Sequence, residues 1–511
     1  MKRFTLLLTM LVAIAAAFAV TQPAQAGLFG GKSAASPSPS PSPSALPTAS
    51  PEPPSVAIPR LQAKLKANPN DQDAMTQLSA QFLGINRPDL AAQLTQHLLQ
   101  MGDKTAQVYY LDGFAMDALG HDDVAISDME QAENLDPSNL GVLEQLVTLY
   151  LKANRFTDAE RIANRSLVLN KGNAESYAML GSVYAAEQKF DDARTQFQTA
   201  ASKEPTDPDP LMQIAQTYAQ QDNLPMALQW TEKAIAVDPK NVQALVFKAE
   251  LYARQHIDDK ASAAFDDAVV AATDDTQKVQ ILDQKAAYFV QEKKNSQAEA
   301  VYQQTVAQYP KVPQVYVAYG DYFAAQKEFD KAKTEWQAAL AIDNDDLDAL
   351  SRLSELSMDQ QHYADAVGYL KQAVAVQPDP VAFAALGQAY AFQHDFVDSK
   401  DACSRAFQLQ RTPQTLACIA GADYQLKNYK EAAQIFDVID SNARGFLDQN
   451  PQYLYIAGRV YQETNQRSKA VDAYKRLLPM MRKGTKQYSE VQGYIADLSK
   501  PAPTPKPKKK P

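Results

Sequence analysis

A period of 34 residues runs through most of this 511-residue chain and leaves few folds open to it. Units beginning at Gln72, Ala106, Leu140, Ala174, Pro208 and Val242 are spaced by 34 residues, and further units begin at Val279, Pro313, Leu347, Pro380, Pro413 and Pro451, with steps of 33 to 38. Each of the twelve units carries two apolar stretches at helical spacing, separated by a short polar turn. Position 20 of the unit is Ala91, Ala125, Ala159, Ala193 and so on to Ala470, with Ser399 the one exception. Position 8 is small as well: Ser79, Gly113, Gly181, Ala215, Gly320, Gly387 and Gly458 are examples. Helices approach closely only where side chains are small, so one such residue on each helix marks a tight crossing. Position 11 is usually aromatic, as in Phe82, Tyr150, Tyr252, Phe289 and Tyr461, and a ring there fills the wedge between neighbouring pairs.

Proline checks this register independently. Pro69, Pro137, Pro205, Pro239, Pro310 and Pro378 fall where a second helix should stop, and Pro208, Pro313, Pro380, Pro413 and Pro451 where a first helix should start. Proline is tolerated in the first turn and breaks a helix interior at a cost of about 3 kcal/mol. The fold class is all-α, an α-solenoid of about twelve helix–turn–helix units, since one unit alone cannot bury its apolar face.

The pattern resembles the tetratricopeptide repeat family over about four-fifths of the chain. The unit from Ala174 matches best, through Tyr177, Leu180, Gly181, Tyr184, Ala193, Phe197, Ala200 and Pro205. The resemblance implies a right-handed superhelix whose first helices line a concave groove. It implies little about activity, because the matching residues are packing residues. Some members grip a terminal carboxylate with Lys and Asn at positions 2, 5 and 9; here those places are acidic, apolar or neutral, so that activity does not carry over.

The ends differ from the array. Lys2 and Arg3, the apolar run Phe4 to Val20 and Ala24-Gln25-Ala26 read as a secretory signal over residues 1–26, placing the mature chain in the periplasm or outside the cell. Residues 27–59 read as a disordered linker, and its Pro- and Ser-rich part, Ser33 to Pro59, reaches about 80 Å if extended. A capping helix is expected over 60–71, repeats 1–6 over 72–275, repeats 7–12 over 279–478, and a second capping helix over 487–498. The irregular step at 271–278 is read either as a bend or as a long turn. The Pro/Lys tail, 499–511, is a candidate for electrostatic contact with anionic envelope polymer.

Chemistry is harder to find. His121, His256, His362 and His394 fall in turns, and the Asp-rich runs suit helix capping. No zinc-hydrolase signature, nucleophile elbow or phosphate loop appears, so no catalytic residue, cofactor or metal is assigned. A net charge of −10 argues against nucleic-acid binding. Cys403 and Cys418, on consecutive helices, could form a disulfide in an exported protein or remain two buried thiols. Function then rests on the first-helix face, where Tyr110, Phe114, Asp117, Glu144, Met212, Glu250, Asp321 and Glu355 are the candidate partner-binding residues. An acidic face with aromatic patches suits a basic or amphipathic peptide segment. The expectation is a non-enzymatic scaffold within a cell-envelope assembly. The alternative is a structural or cell-wall-associated spacer that makes its contacts through the stalk and basic tail.

Overall fold

In the computed structural model, residues 52–170 and 172–500 are described, and they form 27 α-helices, one 3-10 turn and no strand. The expected signal (1–26), the linker up to residue 51 and the Pro/Lys tail from 501 lie outside the described residues. The chain divides between Ile281 and Leu282 into two compact units.

The N-terminal unit opens with a lone helix, Pro54–Ala67. It starts six residues before the expected Arg60, so the linker boundary at 59 is corrected and Pro59 lies inside a helix. The sequence tolerates this because Pro53 and Pro54 sit at the helix start, where no N–H partner is needed, and only Pro59 removes an internal bond. Helix pairs follow, beginning with Gln72–Gly84 and Pro88–Gln100 and then Ala106–Ala118 and Asp122–Leu135. The pattern continues to Val242–Arg254 and Asp258–Ala271. The first helix of repeat 7, Asp275–Gln291, has 17 residues and absorbs most of the irregular step as an added N-terminal turn of helix. In the C-terminal unit the pairs run from Pro313–Ala325 and Phe329–Ile342 to Pro451–Glu463 and Arg467–Leu477, closed by Lys486–Ser499. One element was not expected: a six-residue helix, Arg444–Gln449, fills the extra length before repeat 12.

The small residues do what close packing requires. Every alanine at position 20 is fully buried, from Ala91 to Ala470. At Gly181, Gly320 and Gly458 the missing side chain is replaced by a ring from position 24 of the partner helix, whereas Gly387 faces the smaller Cys403. A Cβ on Gly181 would stand 2.5 Å from the Phe197 ring, one on Gly320 2.4 Å from the Trp336 indole, and one on Gly458 2.4 Å from Tyr474. Where position 8 is Ser79 or Ala215, position 24 is the smaller Thr95 or Thr231. Alanine at position 8 also admits a ring, as in Ala249 with Phe265, Ala286 with Tyr302 and Ala420 with Phe436, so a small residue on the first helix leaves room that position 24 fills to differing extents.

Each pair is closed by the same turn. The residue at position 15 is left-handed in all twelve repeats, with φ between 55° at His256 and 76° at Gly120. The N–H of the next residue then donates to the carbonyl of position 11 at 2.7 to 3.0 Å, as in Arg155 to Tyr150 and Ile257 to Tyr252. This bond satisfies a carbonyl that the helix end would otherwise leave open. Only Gly120 adopts this conformation without a side-chain penalty; Asn, Asp, Gln, His and Lys do so elsewhere.

Cys403 and Cys418 are bonded, with Cα atoms 5.7 Å apart, joining the second helix of repeat 10 to the first of repeat 11. Of the two alternatives open to the sequence, the structure has the bridge.

Two predictions follow from this packing. Gly458→Ala should cost about 1–3 kcal/mol, because the Tyr474 ring is fully buried and cannot retreat. Gly421→Ala, which meets nothing within 4 Å, should be neutral or mildly stabilising; urea melts followed by circular dichroism compare the two. Reduction of the unfolded protein should raise its mass by two hydrogen atoms. Cys403→Ser should lower the unfolding midpoint of the C-terminal repeats, the bridge being worth about 3 kcal/mol in the chain-entropy account.

Candidate first-helix binding face

The candidate residues do not share one environment. In the N-terminal unit, Tyr110 is 5% exposed and Met212 is 5% exposed, so both belong to the core and not to an open face. Tyr110 packs edge-on against Phe114 at 5.3 Å between ring centres, and Met212 packs with Ala234 and Ala244. The physical reason is that first helices of successive repeats lie close enough for position 5 to be covered by its neighbour. The Tyr110 hydroxyl would stand 3.0 Å from a Cβ on Gly141 in the next repeat. Burial, and then the Glu144 carboxylate, push the Tyr110 phenol up to about 12. Tyr110, Phe114 and Glu144 are therefore brought together, with Phe114 only partly buried.

Asp117 is held across the repeat boundary. It accepts from Gln145 Nε2 at 2.9 Å and pairs with Lys152 Nζ at 3.0 Å; Lys152 also reaches Asp122 at 2.6 Å. Glu250 is solvent-exposed, yet protein crowds its carboxyl closely enough for burial to raise its pKa, an effect that Arg254 one turn away partly offsets.

In the C-terminal unit, rings from the second helices reach the same face. Tyr302 donates to Asp283 at 2.7 Å, and the Trp336 indole N–H donates to Asp321 at 3.1 Å. Arg352 Nε sits 3.0 Å from Asp321 Oδ1, which raises the guanidinium pKa, and Glu355 adds to the negative field there while itself remaining exposed. Burial and then the Asp321 charge act on Asp283, whose pKa is raised although the Tyr302 hydroxyl pulls it down. Asp321 and Glu355 are thus gathered around one arginine, while Asp283 and Asp321 each accept a hydrogen bond from a ring of a second helix. Sequence reading missed Arg352, Tyr302 and Trp336. Position 24, read beside the small position 8, carried a signal for the two rings; Arg352, at position 6, carried none.

Behind the face in repeat 2, a second carboxyl pair lies in the core. Asp112 is 3% exposed, accepts a hydrogen bond from Thr95 Oγ1 and faces Asp128. No cation acts on either group, and burial and then the Asp112 charge push Asp128 up to about 7. Burial and their mutual repulsion favour the protonated form of Asp128.

Among the described residues, no three His, Cys, Asp or Glu side chains are grouped to hold a metal ion, and no helix is long and apolar enough to cross a membrane. The arrangement offers surfaces, paired charges and rings, which suit recognition of another chain. The model of the tetratricopeptide repeat family matches residues 144–210 and 284–349, inside the array built by the fold above. This is a tetratricopeptide repeat protein. Repeats of this family form protein-binding scaffolds and are generally without enzymatic activity. No curated protein matches the chain. Among solved structures it is similar to yeast Tom70, at 15% identity over 75% of this chain and 93% of that one, with a TM-score of 0.35. It is also similar to Pseudomonas aeruginosa PilF, at 20% identity over 42% of this chain and 96% of that one, with a TM-score of 0.34. The APC/C hetero-tetramer Cut9–Hcn1 is 15% identical over 88% of this chain and 93% of that one, with a TM-score of 0.33.

The Asp112–Asp128 pair gives a pH dependence. A folded-state pKa raised above the unfolded value makes the pair's contribution full in acid and lost as pH climbs through about 7. Asp128→Asn, whose amide can donate to Asp112 at any pH, should flatten that decline and melt higher than the parent at pH 8, with little difference at pH 4. Thermal melts at the two pH values check this.

Proposed function

We infer that this tetratricopeptide repeat protein is an exported scaffold that holds a basic or amphipathic segment of another envelope protein against its first-helix face. The reading is supported by the acidic character of the first-helix face within each unit. Glu144, Glu250, Asp283, Asp321 and Glu355 all occupy positions 5 or 9 of first helices. The observation that carries it is the recurrence of these carboxylates on the first-helix face, where burial also raises the pKa of Glu250 and Asp283. A lysine or arginine arriving on such a face is met by charge that water and the protein have not fully stabilised. Phe114, partly exposed beside Glu144, adds apolar area for an amphipathic partner. Export is supported by the apolar, cleavable-looking N-terminal sequence and by the Cys403–Cys418 bridge, which persists in oxidising compartments.

Photocrosslinking in cells separates this face from the rest of the surface. A crosslinker at Phe114 or Glu355 should capture a defined partner, and one at Val168, 79% exposed on a second helix, should not. Glu250→Gln together with Glu355→Gln should weaken binding of that partner by about 3- to 10-fold, more at low salt than high, with helix content unchanged. Equal capture from Val168, or affinity indifferent to both substitutions, would rule the reading out.

A further inference from the structure

A cleft of about 520 Å³ opens on the second-helix side of repeats 11 and 12, away from the face discussed above. It exists because the helix Arg444–Gln449 is inserted there, with buried Leu447 in the cleft wall. Leu454, Ala457 and Tyr461 complete an apolar floor. The rim is charged: Asp437, Asp440 and Asp472, with Asp448 beside them, stand against Lys469, Arg476 and Arg444, four carboxylates to three cations. Each carboxylate is engaged through a single oxygen. Tyr461 and Lys469 both bond Asp437 Oδ1, at 2.9 and 2.7 Å, Arg476 bonds Asp440 Oδ1 at 2.6 Å, and Arg444 bonds Asp472 Oδ2 at 3.2 Å.

We propose that this cleft is the docking site of the chain's own C-terminal tail, residues 501–511. Three observations converge on that occupant. The first is where the tail begins. Arg467 caps the last helix, donating to the carbonyls of Leu498 at 2.9 Å and Lys500 at 2.7 Å, and so fixes residue 500 beside the start of the helix Arg467–Leu477. Ser468 and Lys469, the next two residues of that helix, line the cleft. The second is length. Eleven residues in polyproline-II conformation span about 34 Å, and passing around a helix about 10 Å across leaves ample chain to follow the cleft. The third is chemistry. The tail reads Pro501-Ala-Pro503-Thr-Pro505-Lys506-Pro507-Lys508-Lys509-Lys510-Pro511. Alternating prolines present a stiff apolar ridge to an aromatic and aliphatic floor, and four lysines meet a rim with carboxylate in excess. The docked tail would clasp the short helix Arg444–Gln449 against repeat 12.

Hydrogen exchange on the full-length chain reads this directly. With the tail intact and at low salt, the amides of 444–449 and 468–476 should exchange slowly. Changing Lys506, Lys508, Lys509 and Lys510 together to Gln should speed exchange in these two segments at least about threefold, as should about 0.5 M salt. These substitutions lie beyond the last helix and cannot unfold it. A synthetic peptide of residues 501–511 should slow exchange again in the Lys-to-Gln chain. Unchanged exchange in the Lys-to-Gln chain overturns the proposal. So does binding of the parent to phosphatidylglycerol vesicles through these lysines with cleft exchange unaffected, because the tail would then serve an external surface.

Discussion

The contact between positions 8 and 20 is the constraint from which the rest of the structure follows. With alanine at position 20 wholly buried and a residue no larger than valine at position 8, the two helices of a pair approach closely enough to exclude water along their length. That approach leaves room for a side chain at position 24. A glycine at 113, 181, 320 or 458 admits Met129, Phe197, Trp336 or Tyr474, and Ser79 and Ala215 face threonines. Dispersion is strong only at contact distance, so a pair that opened by an ångström would lose much of its cohesion. The large ring in turn reaches through the pair, which is how Trp336 comes to hydrogen-bond Asp321 on the first-helix face. Packing and surface chemistry are therefore one arrangement. A change at position 8 moves a ring that holds a carboxylate.

The turn is the second half of this logic. Left-handed backbone at position 15 in every repeat sends the chain back at one fixed angle, and the bond from residue 16 to the carbonyl of residue 11 locks it. Eleven non-glycine residues accept the conformation. They tolerate its cost because the two helices on either side are already committed to contact. Local preference gives way to tertiary packing, as it does when a strained conformation is over-determined by its surroundings.

The fold was legible in the sequence because each repeat imposes the same volume constraints, and twelve copies average out local exceptions. The binding face was legible only in outline. Position numbers place a side chain on a face, but they do not say whether the next repeat covers it. Tyr110 and Met212 have the right spacing and are buried, whereas Glu250 and Glu355 at position 9 remain exposed. The difference lies in the neighbour: Gly141 lets the adjacent helix approach Tyr110, and nothing in the residue itself announces this. The helix Arg444–Gln449 was hidden for a similar reason. A four-residue excess in spacing specifies extra length and leaves its conformation to Leu447, which finds the core.

A linear array has weak ends, since its terminal repeats have a neighbour on one side only and total stability is close to a sum of nearest-neighbour terms. The two ends of this chain meet that problem unequally. At the N-terminus a single helix, Pro54–Ala67, covers repeat 1, with Ala57 and Leu61 as its buried contacts. Toward the C-terminus, bonds other than packing accumulate. A disulfide joins repeats 10 and 11, and Lys400 meets the buried Asp423 at 2.7 Å across the same boundary. Arg476 ties Asp440 and Asp448 to repeat 12, and Arg467 holds the carbonyls that end the final helix. Asp423 stands at position 11, where an aromatic ring would ordinarily fill the wedge, so the ion pair substitutes for apolar area that this boundary lacks. Removing one partner would leave a charge buried without compensation, which is costlier than losing a ring contact. Polar and covalent links of this kind resist fraying in a way that a small apolar cap cannot. They put the firmest end of the array where the basic tail leaves it, and fraying should therefore begin at the other end.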